Sequence, residues 1–340
     1  MQEAEPKAAK SNNLVKQVLP IVIAIGLLYV AFNKVDPAKI WAYSQAVKPL
    51  PVVLVIIASL LSHILRAYRW IFLLAPVAGR NVSLFNSFYA VMIGYAVNIA
   101  IPRGGEVARL LSICKDENLP WAGVLPTMLI DRMLDVGLLA SLLGACLLVL
   151  PKDMLASMPW LVPGGIGLLL GAVVGLLVLP HVGALLKLIL NLDLIKSRLP
   201  EKLSLKLSEI AAQFDTGTQA LKSPVKYPII ALLSVLIWFC YWLNLYFMVQ
   251  AFSLEKELNP GNCLIVFAIG SAGVLIPTPG SAGSYHVLVA NSVKELAHVP
   301  YEQALAFATV MHFISFVIVT LIPAALLFFF KKFQTKPNPQ

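Results

Sequence analysis

Six ionisable residues fall close together in a chain that is otherwise apolar. Asp131, Arg132 and Asp135 sit within IDRMLD, and Arg103, Glu106 and Arg109 within IPRGGEVAR. On a helix, Asp131 and Asp135 share a face at i,i+4, while Arg132–Asp135 and Glu106–Arg109 can meet at i,i+3. The three positive and three negative charges cancel. Two kinds of chemistry fit such a set. It can be a neutralised cluster that pins one segment against another. It can also be a site where an arginine exchanges a carboxylate for a phosphate, to which the planar guanidinium fork is suited. The residues alone leave both open.

Other chemistry is sparser. Arg103-Gly104-Gly105 precedes a short helix, GEVARLL, whose free N–H groups favour an anion. It lacks the G-x-x-x-x-G-K-[ST] pattern of a nucleotide loop. Later in the chain Thr278, Ser281, Ser284, Tyr285, His286 and His312 are the polar options. His286 is a candidate substrate contact, against the ordinary reading of a hydrogen-bonded packing histidine. Neither His286 nor His312 has a Cys or carboxylate at ligand spacing, so no metal is expected. Arg66 and Arg69, near the cytoplasmic end of their helix, read first as orientation anchors, with snorkelling to headgroups as the alternative. No G-x-S-x-G, H-E-x-x-H or triad pattern is present, so neither an enzyme nor a cofactor is expected. Cys114, Cys146, Cys240 and Cys263 read as small core residues.

What positions these groups is a membrane chain. Of 340 residues 59% are hydrophobic and only 13% charged, too few charges for a soluble surface. The net charge of +9 sits mainly in loops and tails, with no basic–aromatic interleaving, so no nucleic acid is expected. Long apolar segments lie near 18–32, 50–75, 121–150, 161–180, 227–252 and 302–330, each near the ~20 residues that cross a bilayer. The first reads as an uncleaved helix rather than a signal peptide. Asp131, ten residues past Trp121, falls about 15 Å along its helix, near the midplane. Two shorter segments, 84–101 and 262–277, end in IPRGG and IPTPGSAG. Such breaks persist in a membrane only where protein or water covers the freed backbone.

Basic residues decide between topologies. Lys7, Lys10 and Lys16, then Arg66, Arg69 and Arg80, then the lysines and arginine of 181–226, then Lys331, Lys332 and Lys336 form four basic regions. If all eight segments span, 181–226 falls outside, against the positive-inside rule. If 84–118 and 262–298 are re-entrant hairpins, every basic region is cytoplasmic. The expected fold is therefore an all-α polytopic membrane protein, with about six spanning helices and two re-entrant hairpins. Its parts are a cytoplasmic tail 1–17, one transmembrane domain 18–330 and a cytoplasmic tail 331–340. Within 181–226 an amphipathic helix on the membrane surface and an ordinary solvated connector are equally compatible.

The hairpins share a pattern. GYAVNIAIPRGGE and GSAGVLIPTPGSAG each run from Gly (94, 270) to Ile-Pro, with Gly three residues beyond that Pro. Asn98, Pro102, Gly104 and Gly105 shape the first, and Pro277, Thr278, Pro279, Gly280 and Gly283 the second. The crossing count opens them to opposite sides, the inverted-repeat design of transporters.

Asn98, Pro102 and Glu106, followed by Asp131-Arg132 with Asp135, and then PTPGSAGSYH from Pro277 to His286, resemble the lysylphosphatidylglycerol synthase transmembrane-region family over residues 15–330. The resemblance implies a bacterial or archaeal inner-membrane protein that moves a lipid between leaflets. Its best-known members carry a fused domain that aminoacylates phosphatidylglycerol. No such domain is expected here up to Gln340, so the lipid differs or a separate lipid-modifying enzyme is a partner. Tyr285-His286 stands where members commonly carry an acidic residue. The functional expectation is a flippase-like translocase of a phospholipid or other lipid phosphate. Arg103, Arg109 and Arg132 would meet the phosphate, while Glu106, Asp131 and Asp135 hold them in the empty site. The alternative is a non-transporting scaffold for a lipid-modifying enzyme.

Overall fold

The computed structural model describes residues 9–33, 35–101, 104–147, 156, 159, 161–192 and 200–334. Pro102, Arg103, Lys196 and Arg198 lie outside the described residues, as do 1–8 of the first tail and 335–340 of the last. Among the described residues the structure is helical, without strands. In chain order the helices are α1 (Ala9–Phe32), α2 (Pro37–Gln45), α3 (Pro49–Ala78), α4 (Leu84–Ala100), α5 (Gly104–Glu117), α6 (Trp121–Leu147) and α7 (Leu161–Val178). There follow α8 (Val182–Leu190), α9 (Glu201–Thr218), α10 (Tyr227–Ala251), α11 (Pro260–Gly273), α12 (Ser284–Ala297), α13 (Tyr301–Phe313) and α14 (Ile322–Gln334). A π-helical stretch, Ile314–Leu321, joins the last two.

Among the described residues four stretches are long and apolar enough to cross a membrane: Pro49–Ala78, Val162–Leu190, Tyr227–Ala251 and Tyr301–Phe333. A fifth results if Val18–Phe32 and Pro37–Gln45, bent by 84°, form one span. The 27-residue α6 is apolar apart from Asp131, Arg132 and Asp135. The second of the four stretches extends beyond the expected end at 180, so Lys187 lies on it and pairs with Asp215 at 2.8 Å. Helix α9 packs against α6: a Cβ on Gly217 would sit 2.2 Å from the Gly123 carbonyl. Its buried face thus meets protein.

Local sequence explains the breaks. Ser83 caps α4 by accepting the Asn86 N–H, and Asn259 caps α11 by accepting the Asn262 N–H at 2.9 Å. Ile101 precedes a proline and takes extended angles (φ −124°, ψ 105°), which ends α4. The chain then folds back. A Cβ on Gly105 would lie 1.9 Å from the Gly94 carbonyl, so only glycine permits this approach. At the other end the Ser83 N–H and the Asn86 side chain both bond to Glu117, placing the start of α4 beside the end of α5. The segment is a helical hairpin that ends where it began.

Helices α11 and α12 also fold back on one another, with the Ser284 hydroxyl bonding to the Gly273 carbonyl at 2.9 Å. The turn between them uses left-handed angles at Gly280 (φ 56°) and Gly283 (φ 84°). A Cβ on Gly280 would lie 3.6 Å from Ile99 Cγ2, so the second turn rests on the end of α4. One apolar core, including Trp70, Leu73, Val91 and Ile113, holds the first hairpin to α3. Another, including Met248, Val266, Val289 and Phe307, joins the second to α10 and α13.

Candidate functional site

The charged residues of α5 and α6 meet two arginines from α3. Arg69 is fully buried and spends its guanidinium on three partners. Nε and Nη2 donate to Asp131 Oδ1 at 3.0 and 2.6 Å, Nη2 to Asp135 Oδ1 at 2.8 Å, and Nη1 to Ser234 Oγ at 2.8 Å. Arg66 Nη1 donates to Asp135 Oδ2 at 2.5 Å and to Asp131 Oδ2 at 3.3 Å, and Nη2 to the Tyr241 hydroxyl at 3.2 Å. Arg109 Nη1 donates to Asp131 Oδ2 at 3.0 Å. Asp131 is thus the shared acceptor of three arginines, at 0% exposure. Burying so many charges is tolerable only with this pairing.

The anchoring or snorkelling role at a helix end expected for Arg66 and Arg69 is corrected here. Both are buried, and α3 continues nine residues beyond Arg69 to Ala78, so neither sits at a helix end. The apolar IFLLAPVA after them was the signal for a deeper position. They drop out of the loop-charge count, leaving Arg80 in that region. Arg132 also differs from expectation: its described partner is Glu106 on α5, not Asp135 one turn along its own helix. Four guanidinium groups therefore face three carboxylates among the described residues, one positive charge in excess.

The excess lies on the α5 side. Arg109 Nε and Nη2 are buried and have no hydrogen-bond partner among the described residues. Its guanidinium carbon stacks 3.8 Å over the Trp70 ring, itself fixed by a 3.0 Å bond from Nε1 to Thr127 Oγ1. Arg109 also borders a cleft shared with Tyr95, Asn98, Gly105, Glu106 and Arg132. The cleft holds about 180 Å³ of space but is too tight for a water molecule. Its rim is the Arg132–Glu106 pair, with side chains 37% and 34% exposed. Asn98 closes the back by accepting the Gly105 N–H at 2.9 Å. A Cβ on Gly104 would lie 2.8 Å from Ile101 Cγ2, so the turn is tight throughout. Chemically this is a closed, cation-rich slot with unspent donors.

A glycine-broken hairpin thus folds against the Asp-Arg-x-x-Asp helix. The model described as "Lysylphosphatidylglycerol synthase TM region" matches residues 17–322. The chain belongs to this family. As a lysylphosphatidylglycerol synthase transmembrane-region protein it is a multi-pass membrane protein related to lipid handling. A comparison with curated proteins finds no match. Within this family member, Arg109, Glu106, Asp131, Arg132 and Asp135 come together with Asn98 and Gly105, while Arg103 lies outside the described residues. His286 is elsewhere. It contacts Phe32, Tyr285 and His312, near the second turn. Besides Arg66 and Arg69, the sequence reading missed Ser234, Tyr241, Trp70 and Tyr95, which carry no motif and reach the site only through helix packing.

Proposed function

We propose that this protein is a lipid translocase that receives a phosphate-bearing headgroup in the cleft beside Arg109, without chemical change to the lipid. The observation that supports it most is the pair of unpartnered donors, Nε and Nη2, on a buried arginine in a cluster with excess positive charge. Those two nitrogens form one edge of the guanidinium, the edge that pairs bidentately with a phosphate. Arg66 and Arg69 cannot serve in the same way: Arg69's donors go to Asp131, Asp135 and Ser234, and Arg66 leaves only Nε unpartnered, so neither has a free two-nitrogen edge. They hold the site's frame.

The slot is closed in this conformation, so a headgroup enters when Arg132 leaves Glu106 for the phosphate. That exchange conserves charge pairing at the rim: the arginine keeps an anion, and the partly exposed Glu106 turns to water. The architecture that suits this step has six spans and two re-entrant hairpins in inverted repeat. Helix α6 supplies a span that its three charges obscure, since each is paired with protein. The bent α1–α2 pair supplies another. The two hairpins fold back on themselves and touch at their turns, as an inverted pair would. The setting is the inner membrane of a bacterium or archaeon, with both termini cytoplasmic, and a separate lipid-modifying enzyme would supply or use the lipid.

The test is headgroup transfer in proteoliposomes of anionic phospholipid. Arg109→Gln and Arg132→Gln should each slow transfer by about tenfold or more, the scale of a lost charge-assisted hydrogen bond. Both variants should still elute as folded protein with a cooperative melt, Arg109→Gln at a lower temperature than the parent, because the Asp131–Arg69 and Asp135–Arg66 pairs remain. Transfer at the parent rate by both variants would reject the site.

A further inference from the structure

The second hairpin carries a pair of groups that the headgroup site does not use. His286 on α12 and His312 on α13 bring their ring centroids to 4.6 Å. His286 is 5% exposed, and its Nδ1 is buried without a partner. His312 Nε2 lies 2.8 Å from the Gly280 carbonyl. A carbonyl only accepts, so in the neutral ring Nε2 carries the hydrogen and Nδ1 is the basic nitrogen. Each ring therefore offers a nitrogen with a vacant lone pair or an unmet donor, within an enclosure otherwise built from Phe32, Phe316 and Tyr285.

We propose that His286 and His312 form a site for one proton, and that binding it couples the second hairpin to a proton gradient. The claim rests on the translocase reading for its purpose but not for its chemistry. At this separation the pair can hold one proton on one ring or the other, whereas two would set like charges side by side. No carboxylate, lysine or arginine contacts the pair among the described residues. Helix α1 contributes Phe32, the π segment Phe316, the turn its Gly280 carbonyl and α12 its Tyr285, which is the titratable neighbour. A proton bound here is thus not neutralised in place. It favours a conformation in which the pair meets water or an anion.

The pair also sits where such a preference would be felt. His312 holds the carbonyl of Gly280, the left-handed residue that faces Ile99 at the end of α4. A charged pair acts directly on the contact between the two hairpin turns. The π-helical stretch starts two residues after His312, and such departures from α-helical bonding concentrate at functional sites. An ion that binds the open conformation better than the closed one shifts the equilibrium by that difference and no more.

Two measurements test this. The first follows ¹⁵N-histidine signals of the protein in nanodiscs from about pH 8 to about pH 5, the range in which histidines switch charge. One proton should be taken up jointly by two resonances, and His312→Gln and His286→Gln should each abolish the joint uptake. The second follows lipid transfer in proteoliposomes with and without an imposed pH gradient. The parent should respond about tenfold or more, the span of one pH unit on a single proton, and both variants should transfer at a gradient-independent rate. Rings that stay neutral throughout would overturn the proposal, as would variants that keep the gradient response. If the parent transfers no lipid, the translocase reading falls and the nanodisc titration still decides the proton site. If a variant fails to fold, the parent's titration decides it.

Discussion

The two hairpins solve one backbone problem with opposite chemistry. Each breaks at Ile-Pro, folds back through glycine and packs its arms closely. Around the first, among the described residues, are four guanidinium groups and three carboxylates. Around the second the polar groups are uncharged: Thr278 and Ser284 hydroxyls at 3.4 Å, Ser284 bonded to Gly273, and the two histidines. The difference shows that pairing, and not a general tolerance for polarity, admits the charges. Among the described residues, the first hairpin lies against the charged part of α6 and the arginines of α3, whereas the second meets α6 beyond its acids, at Leu139, Leu143 and Cys146. A backbone broken in the same way elsewhere is satisfied by short hydroxyl bonds.

The largest test of that contrast is to remove the shared acceptor. Asp131→Asn leaves Arg66, Arg69 and Arg109 without their common carboxylate in a fully buried setting. Breaking one partner of a buried ionic set costs about 3–5 kcal/mol. The variant should therefore melt far below the parent in detergent or fail to accumulate folded. Ser284→Ala in the second hairpin removes neutral hydrogen bonds and should cost only about 1 kcal/mol. Equal losses would show that the ionic cluster is no more than an ordinary polar contact.

The next test compares how tightly the arms approach. Gly105→Ala drives a Cβ into the Gly94 carbonyl, a backbone atom that cannot turn aside. An overpacking penalty of about 1–3 kcal/mol is expected, with the Arg109 cleft distorted and lipid transfer reduced. In the second hairpin Gly273→Ala meets Leu288 Cδ1 at 3.1 Å, the end of a flexible side chain. Its penalty should be smaller, since alanine's helix preference offsets about 1 kcal/mol. Thermal melting of the two variants side by side measures the difference. A more damaging Gly273→Ala would reverse the assignment of the tighter arm.

Much of this was legible in the sequence, and what was not has a physical reason. Hydropathy found the apolar segments, and Pro and Gly found both breaks, because these signals are local. Asp131, Asp135, Arg109 and Glu106 were visible as charges in a greasy setting. Their partners were not. The i,i+3 rule paired Arg132 with Asp135, but a long side chain also reaches across helices, and Glu106 took it. Arg66 and Arg69 were read as anchors because charge near an apolar segment's end suggests an interface. Only the packing of α3 on α6 shows that they face two aspartates. Ser234 and Tyr241 on α10 join the cluster through tertiary contact alone, which no spacing in one segment encodes.

The smallest expected effect concerns the outer end of the first hairpin, beyond the apolar stretches. Glu117 there is tied to the Arg80 side chain at 2.7 Å, to Asn86 Nδ2 at 2.7 Å and to the Ser83 N–H at 3.1 Å. Burial alone would raise its pKa, but the hydrogen bonds from Asn86, Arg80 and Ser83, with the Arg80 charge, hold it below the usual carboxylate value of 4.5. A carboxyl whose pKa is depressed on folding stabilises the fold above its unfolded pKa and loses that contribution as pH falls through the folded value. The start of α4 should thus be held at neutral pH and loosen in acid, as pH falls below the usual carboxylate range. Hydrogen exchange of the Ser83–Ser87 amides should quicken in acid beyond its intrinsic pH trend. The start of α11 is capped by Asn259, which does not titrate, and its amides should follow the intrinsic trend alone. A parallel response at both ends would mean that Glu117 is not what ties the first hairpin shut. In that case the Lys331–Asp116 pair, which brings α14 to the same end, becomes the contact to remove.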